Sequence, residues 1–316
     1  MFKWLADFIT YDLLKLSRGT HFADSLNFFL YDVPKIYFML VLVIFFVAFL
    51  RTYLPPEKIK QIINRKNELA GNVLASFFGI FMPFCTCSAI PVFMGMLESG
   101  IPLGVTMSFL IASPMINEIA VVMLWGLFGW QVSLIYILSG MLISTLSGYI
   151  IGKLKMEKYV SENISSSKFS GANLPANAPI KTRMEYSLDY SIEVFKYVWL
   201  YVIVGIAIGA VIHGYVPQDL LTQYAGKNNP FAVIVATLIG VPLYANCAGA
   251  IPVAQALMLK GLPLGTSLAF LMAVTGLSLP EFLILRSVIK PRLLYTFFGT
   301  VAVGIILIGY FFNIIF

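Results

Sequence analysis

GIFMPFCTCSAIPVFMGMLESGIPLGVTMSFLIA, residues 79–112, overlays GVPLYANCAGAIPVAQALMLKGLPLGTSLAFLMA, residues 240–273, when the chain is shifted by 161 positions. The overlay needs no gap. From Ile36 to Ala112 it holds 18 identities in 77 positions, clustered at AIPV and G-x-P-L-G. Shared composition would match leucines and valines. Matched glycines and prolines instead point to a duplicated backbone path, so the chain reads as two homologous halves.

The surroundings fix the class. The 316 residues are 59% hydrophobic and only 11% charged. That composition suits lipid contact and exceeds what a soluble core of this length needs. Spanning candidates are 36–50, 103–125, 132–151, 190–211, 264–285 and 294–316. The apolar stretches 71–97 and 231–259 are interrupted by Pro83, Pro91, Pro242 and Pro252. Ser113-Pro114 marks a further break. Residues 1–35 read as an amphipathic interfacial segment, with Leu5–Leu16 its clearest piece, and not as a cleaved leader. Residues 36–152 form the first membrane repeat and 190–316 the second. The basic stretch 153–189, rich in Ser, Asn, Ala and Pro, reads as a flexible linker.

Each interrupted stretch can cross once or turn back as a hairpin. Crossing makes the halves parallel and puts 12 of the 21 Lys and Arg on the cytoplasmic side. Turning back inverts the halves and collects 15 of 21 there. The positive-inside rule favours the second count. The expected fold is an all-α polytopic membrane protein of two inverted repeats. Each repeat has three spanning helices plus one proline-broken hairpin or discontinuous helix. Broken helices entering from opposite faces meet near the midplane, where transporters of this plan bind substrate.

The three cysteines fall at these breaks. Cys247 overlays Thr86, between Cys85 and Cys87, and Asn246 overlays Cys85. If the tips meet, three sulfurs converge, with Thr86, Ser88 and Asn246 as polar neighbours. Sulfur ligands select soft centres, among them Cu(I), Zn and, by the same softness, trivalent arsenic and antimony. Cys85-x-Cys87 is tighter than the usual zinc pair. Neutral thiols are cheap to bury, and a soft centre displaces their protons on binding. The plainer reading of a membrane cysteine is a small packing residue; three at equivalent breaks argue against it.

Asn117, Glu118 and Glu281 stand in otherwise apolar helices. An intramembrane carboxylate costs about 2.5–3.5 kcal/mol on insertion scales, so it marks a proton or substrate path. The alternative for Glu281 is a helix-end position near the interface. No phosphate loop, H-E-x-x-H or Ser/His/Asp set occurs, so neither an enzyme nor an ATP-driven pump is expected, and no cofactor. Nucleic acid is not a partner either: the net charge of +6 reads as a topology signal. The partners are a small-molecule or metalloid substrate and the bilayer.

PFCTCSAIP with G-I-P-L-G, then ASPMINE, and ANCAGAIP with G-L-P-L-G together resemble the bacterial predicted-permease family that includes the ArsP-type organoarsenical efflux permeases. The resemblance runs from about residue 36 to 316. It implies a multi-pass protein of the bacterial inner membrane that exports trivalent organoarsenicals such as methylarsenite. It also implies that Cys85 and Cys87 bind the arsenic. Two alternatives stay open: transport of another metal ion or a sulfur-containing small anion, and a membrane thiol oxidoreductase using Cys85 and Cys87.

Overall fold

A computed structural model describes residues 2–17, 19–52, 68–80, 86–98, 100–116, 118–160, 179–215, 229–243, 247–259 and 261–316. Among the described residues the chain is helical, with no strand beyond an isolated antiparallel bridge between Val160 and Ile289. The helices are α1 (Phe2–Asp7), α2 (His21–Arg51), α3 (Glu68–Ile80), α4 (Thr86–Glu98), α5 (Leu103–Met115) and α6 (Glu118–Lys153). After a 3-10 turn at Met156–Tyr159 come α7 (Ile180–Tyr215), α8 (Ala232–Gly240), α9 (Cys247–Leu259), α10 (Leu264–Gly276), α11 (Leu279–Arg286) and α12 (Pro291–Ile315). Among the described residues, four stretches are long and apolar enough to cross a membrane: His21–Phe46, Ala120–Lys153, Leu264–Arg286 and Pro291–Ile315.

The chain divides into two compact units. One comprises Met1–Met39, Trp199–Ile284 and Ala302–Phe316; the other comprises Leu40–Val198 and Leu285–Val301.

In the second of these units, α3 is two-faced. Asn72, Ala75, Ser76 and Gly79 are buried, while Leu69, Val73, Phe77 and Phe78 are exposed. Gly71 lies against Val105 and Gly79 against Ala112, so α3 and α5 run side by side in the same direction. A Cβ on Gly79 would stand 2.9 Å from the Ala112 Cβ, which is why the helices approach only through glycine. α4 and α5 are joined by the G-x-P-L-G turn. Gly100 has φ +76, and its N–H donates to the Leu97 carbonyl (2.9 Å) while the Ile101 N–H donates to Met96 (3.1 Å). This paired closure of a helix end needs a left-handed residue, hence glycine. Pro102 then caps α5, with the Thr106 N–H on its carbonyl at 3.2 Å. α6 bends back at Gly129 (φ 85, ψ 168). Ser133 donates to the Val121 carbonyl (3.0 Å) and Tyr136 to Met115 (2.7 Å), so the two limbs of α6 are antiparallel neighbours.

The other unit repeats these devices 161 positions on. α9 and α10 have the offsets and lengths of α4 and α5. Gly261 has φ +97, with Gly261 N–H on Met258 (2.9 Å) and Leu262 N–H on Leu257 (3.1 Å). A Cβ on Gly240 would stand 2.9 Å from the Ala273 Cβ. A glycine-to-glycine helix crossing recurs as well: Gly104 lies against Gly148, and Gly265 against Gly309.

Two elements reach further than their sequence suggests. α2 runs through Asp32 and Pro34, well upstream of residue 36. α7 starts at Ile180, ten residues before the expected span, because Arg183, Ser187, Tyr190, Ser191 and Val194 recur at helical spacing and are all buried. Ser187 and Ser191 spend their hydroxyls on the carbonyls four residues back, which lets them sit in an apolar face.

Candidate functional site

Each interrupted stretch leads into a helix that starts at its cysteine-bearing segment. Thr86, Cys87 and Ser88 form the first turn of α4, and Cys247 opens α9. Pro83, Cys85, Asn117 and Asn246 lie outside the described residues. Glu118 is the first residue of α6, directly after the break that ends α5.

The prolines divide. Pro242 stands in the exposed turn Val241–Leu243 that follows α8. Pro91 and Pro252 were expected to frame breaks, but each is the sixth residue of its helix, α4 or α9, so the break lies ahead of it. Pro114 likewise falls inside α5, and the backbone leaves helical geometry two residues later, at Ile116 (φ −113, ψ 80). A proline removes one i to i−4 hydrogen bond without ending a membrane helix when neighbours satisfy the freed group. The α5 end is sealed from outside the helix, by the Tyr136 hydroxyl on the Met115 carbonyl. α10 ends at the equivalent point, Gly276, and α11 starts at Leu279, matching Glu118.

Glu281 is the best-defined charged group near a break. It lies in the first turn of α11 and is 2% exposed. The Leu279 N–H, two residues before it, donates to the Val241 carbonyl at 2.9 Å. Pro280 packs against Gly205 of α7, where a Cβ would come within 2.9 Å. Glu281 is thereby held next to the turn that leads from α8 toward Cys247.

Sequence reading missed a polar interior in the unit that holds α3, α5 and α6. Ser108 Oγ donates to Asn72 Oδ1 at 3.0 Å. Ser144 Oγ donates to Ser76 Oγ at 2.9 Å, and Ser76 and Thr145 hydroxyls lie 3.1 Å apart. The four-residue spacing of Asn72 and Ser76 was the available signal. The matched positions in the other half are Val233, Thr237, Ala269, Ile305 and Ile306, so this network belongs to one half. Asp32, 5% exposed within α2, is a second buried carboxylate that patterning did not single out.

A family described as predicted permeases matches residues 21–314. A protein of Escherichia coli strain K12 named UPF0718 protein YraQ is 22% identical over 283 residues, covering 88% of this chain and 79% of that protein. A Streptococcus mutans protein named putative two-component membrane permease complex subunit is 21% identical over 262 residues, covering 82% of this chain and 85% of that protein. No solved structure matches the chain.

Proposed function

The chain belongs to this predicted-permease family, and from that premise we propose that it exports trivalent organoarsenicals such as methylarsenite by alternating access around a cysteine site. The protein is a multi-pass membrane permease. Cys85, Cys87 and Cys247 are its ligands. Methylarsenite carries two As–OH groups, so two of the three thiols bond to arsenic at a time: each As–S bond forms as an As–OH bond breaks, and the thiol proton leaves with the hydroxide as water. Release reverses the exchange: water returns a proton to each thiol and hydroxide to arsenic, and Glu281 relays that proton. Thr86, Ser88 and Asn246 are polar contacts of the substrate in this reading, and Asn117 and Glu118 join Glu281 on the proton or substrate path.

The observation that carries this reading is the repetition of one broken-helix device in both halves, with every cysteine of the chain at a break. Inversion of the halves is supported by direction and by shared faces. α3 runs with α5, and α4 joins α5 through a four-residue turn, the geometry of antiparallel neighbours. α3 and α4 then turn back on each other. Each is 13 residues long, about 20 Å at ~1.5 Å per residue, short of a ~30 Å core. Arg183 donates to the Thr52 carbonyl, Arg292 to Tyr159 and Tyr310 to the Pro230 carbonyl. Single crossings would put the members of each pair on opposite faces of the membrane.

Growth of an arsenic-sensitive host tests the substrate. Wild-type protein is expected to confer resistance to methylarsenite, and Cys85→Ser, Cys87→Ser and Cys247→Ser to lose it at equal expression. Retained resistance in all three would overturn the sulfur site. A purified binding series with methylarsenite, arsenite, Cu(I) and thiosulfate separates organoarsenical from metal-ion and sulfur-anion transport.

A second reading concerns assembly. The Streptococcus mutans relative carries the name of a complex subunit, so a partner membrane subunit is the reading to test by copurification.

A further inference from the structure

Residues 153–160 and 286–292 are separated by more than a hundred positions, yet they form one surface. The Lys290 N–H donates to the Tyr159 carbonyl at 2.8 Å, and Val160 bridges Ile289. Arg292 Nη1 donates to Tyr159 Oη at 3.0 Å, and its guanidinium carbon lies 5.5 Å from the ring centre. Lys158 Nζ lies 5.3 Å from the same ring. One turn back on α6, Lys153 Nζ is 4.9 Å from the Tyr149 ring. The two segments hold Lys153, Lys155, Lys158, Arg286, Lys290 and Arg292 against a single acid, Glu157. All six cations but Lys290, which is half-buried, are exposed.

We propose that this patch binds the acidic headgroup of an anionic phospholipid. Two cations set on one tyrosine ring repel each other, and an anion between them relieves that repulsion. Next to the cations in the chain stand exposed apolar and aromatic side chains: Ile150 and Tyr295, on helices apolar enough to cross a membrane, are 45% and 64% exposed, and Leu154, in the turn after α6, is 55% exposed. A soluble anion would use the cations and leave those side chains wet. An amphiphile with an acidic head covers both. Basic clusters at a membrane surface attract anionic lipid in proportion to their charge, and here the Tyr159 tie gathers into one place charges that the linear chain keeps apart. Thus the fold, and not the loop composition alone, makes the site.

The test uses the full chain reconstituted in phosphatidylcholine nanodiscs with added phosphatidylglycerol, with retained lipid counted by native mass spectrometry. Wild-type protein is expected to retain phosphatidylglycerol severalfold over its bulk share, with the excess falling as salt rises. Lys155→Gln, Lys158→Gln and Arg292→Gln together should weaken retention by about fivefold per cation, the factor for ~1 kcal/mol. Lys3→Gln, Lys15→Gln and Lys181→Gln, which remove equal charge elsewhere, should leave it intact. No phosphatidylglycerol excess in the wild type, equal losses in both triple variants, or displacement by inorganic phosphate beyond that by chloride of equal ionic strength would each overturn the proposal. The wild-type measurement stands even if a variant fails to fold.

Discussion

The backbone N–H of Leu279 donates to the carbonyl of Val241 across 2.9 Å, tying the start of the helix that carries Glu281 to the turn that leads toward Cys247. A buried carboxylate is thereby attached to the backbone of a broken helix. Under the proposed function, the group able to relay a proton is placed by that same turn.

Glu281→Gln keeps the side chain's size and removes its proton exchange. Uptake of methylarsenite into everted vesicles should fall at least about tenfold, since proton transfer by a positioned group contributes roughly 10²–10⁴-fold where it is used. Yield and elution volume of the purified protein should stay those of the wild type. Wild-type efflux in the variant would remove Glu281 from the mechanism.

Gly104 and Gly148 cross so closely that a Cβ on Gly104 would stand 2.7 Å from the Gly148 carbonyl oxygen. Gly104→Ala should lower thermal stability in detergent by about 1–3 kcal/mol through overpacking. Gly126→Ala, where a Cβ meets nothing within 4 Å, is the matched control and should change little. Equal effects from both would show that the crossing is not what requires glycine.

Asn72 and Ser108 bond inside one half, where the other half has Val233 and Ala269. Asn72→Val leaves the Ser108 hydroxyl without this acceptor. The expected cost is modest, about 0.6–1.7 kcal/mol, the range measured for interhelical hydrogen bonds in a membrane. The double variant Asn72→Val with Ser108→Ala should recover part of it. An additive double variant would mean that the two groups do not act as a pair.

Facing is checked by labelling single cysteines in a cysteine-free background. Cysteines at Thr52, Lys155 and Lys290 should react with a membrane-impermeant maleimide from one side, and a cysteine at Pro230 from the other. Labelling of Thr52 and Lys155 from opposite sides would restore the parallel arrangement.

Much of the backbone was legible because its causes are local. A left-handed glycine at 100 and 261, a capping proline at 102 and 263, and a small residue at each crossing are requirements of the turn itself, so they survive as letters in the chain. The prolines at 91, 114 and 252 were less readable. A proline lowers the stability of a helix, but whether the helix ends depends on who satisfies the freed carbonyl. At α5 the Met115 carbonyl at the helix end, a different group from the Leu110 carbonyl that Pro114 frees, accepts from Tyr136, a residue of another helix. The helical start of α7 at Ile180 was hidden in the same way, because its buried face is made of Arg183, Ser187 and Ser191 and not of hydrocarbons.

The sequence by itself determined an apolar chain suited to lipid, a duplication at 161 residues, and two interrupted apolar stretches that hold all three cysteines. Hydropathy, glycine and proline act within a few neighbouring residues, which is why they could be read there. Only the tertiary structure decided that Tyr159 meets Arg292, that Thr52 meets Arg183, and that Glu281 is buried beside the Val241 turn. Hydropathy is unchanged when a helix is reversed or rotated, so which ends share a face, and which polar groups point inward, appears only once distant segments touch.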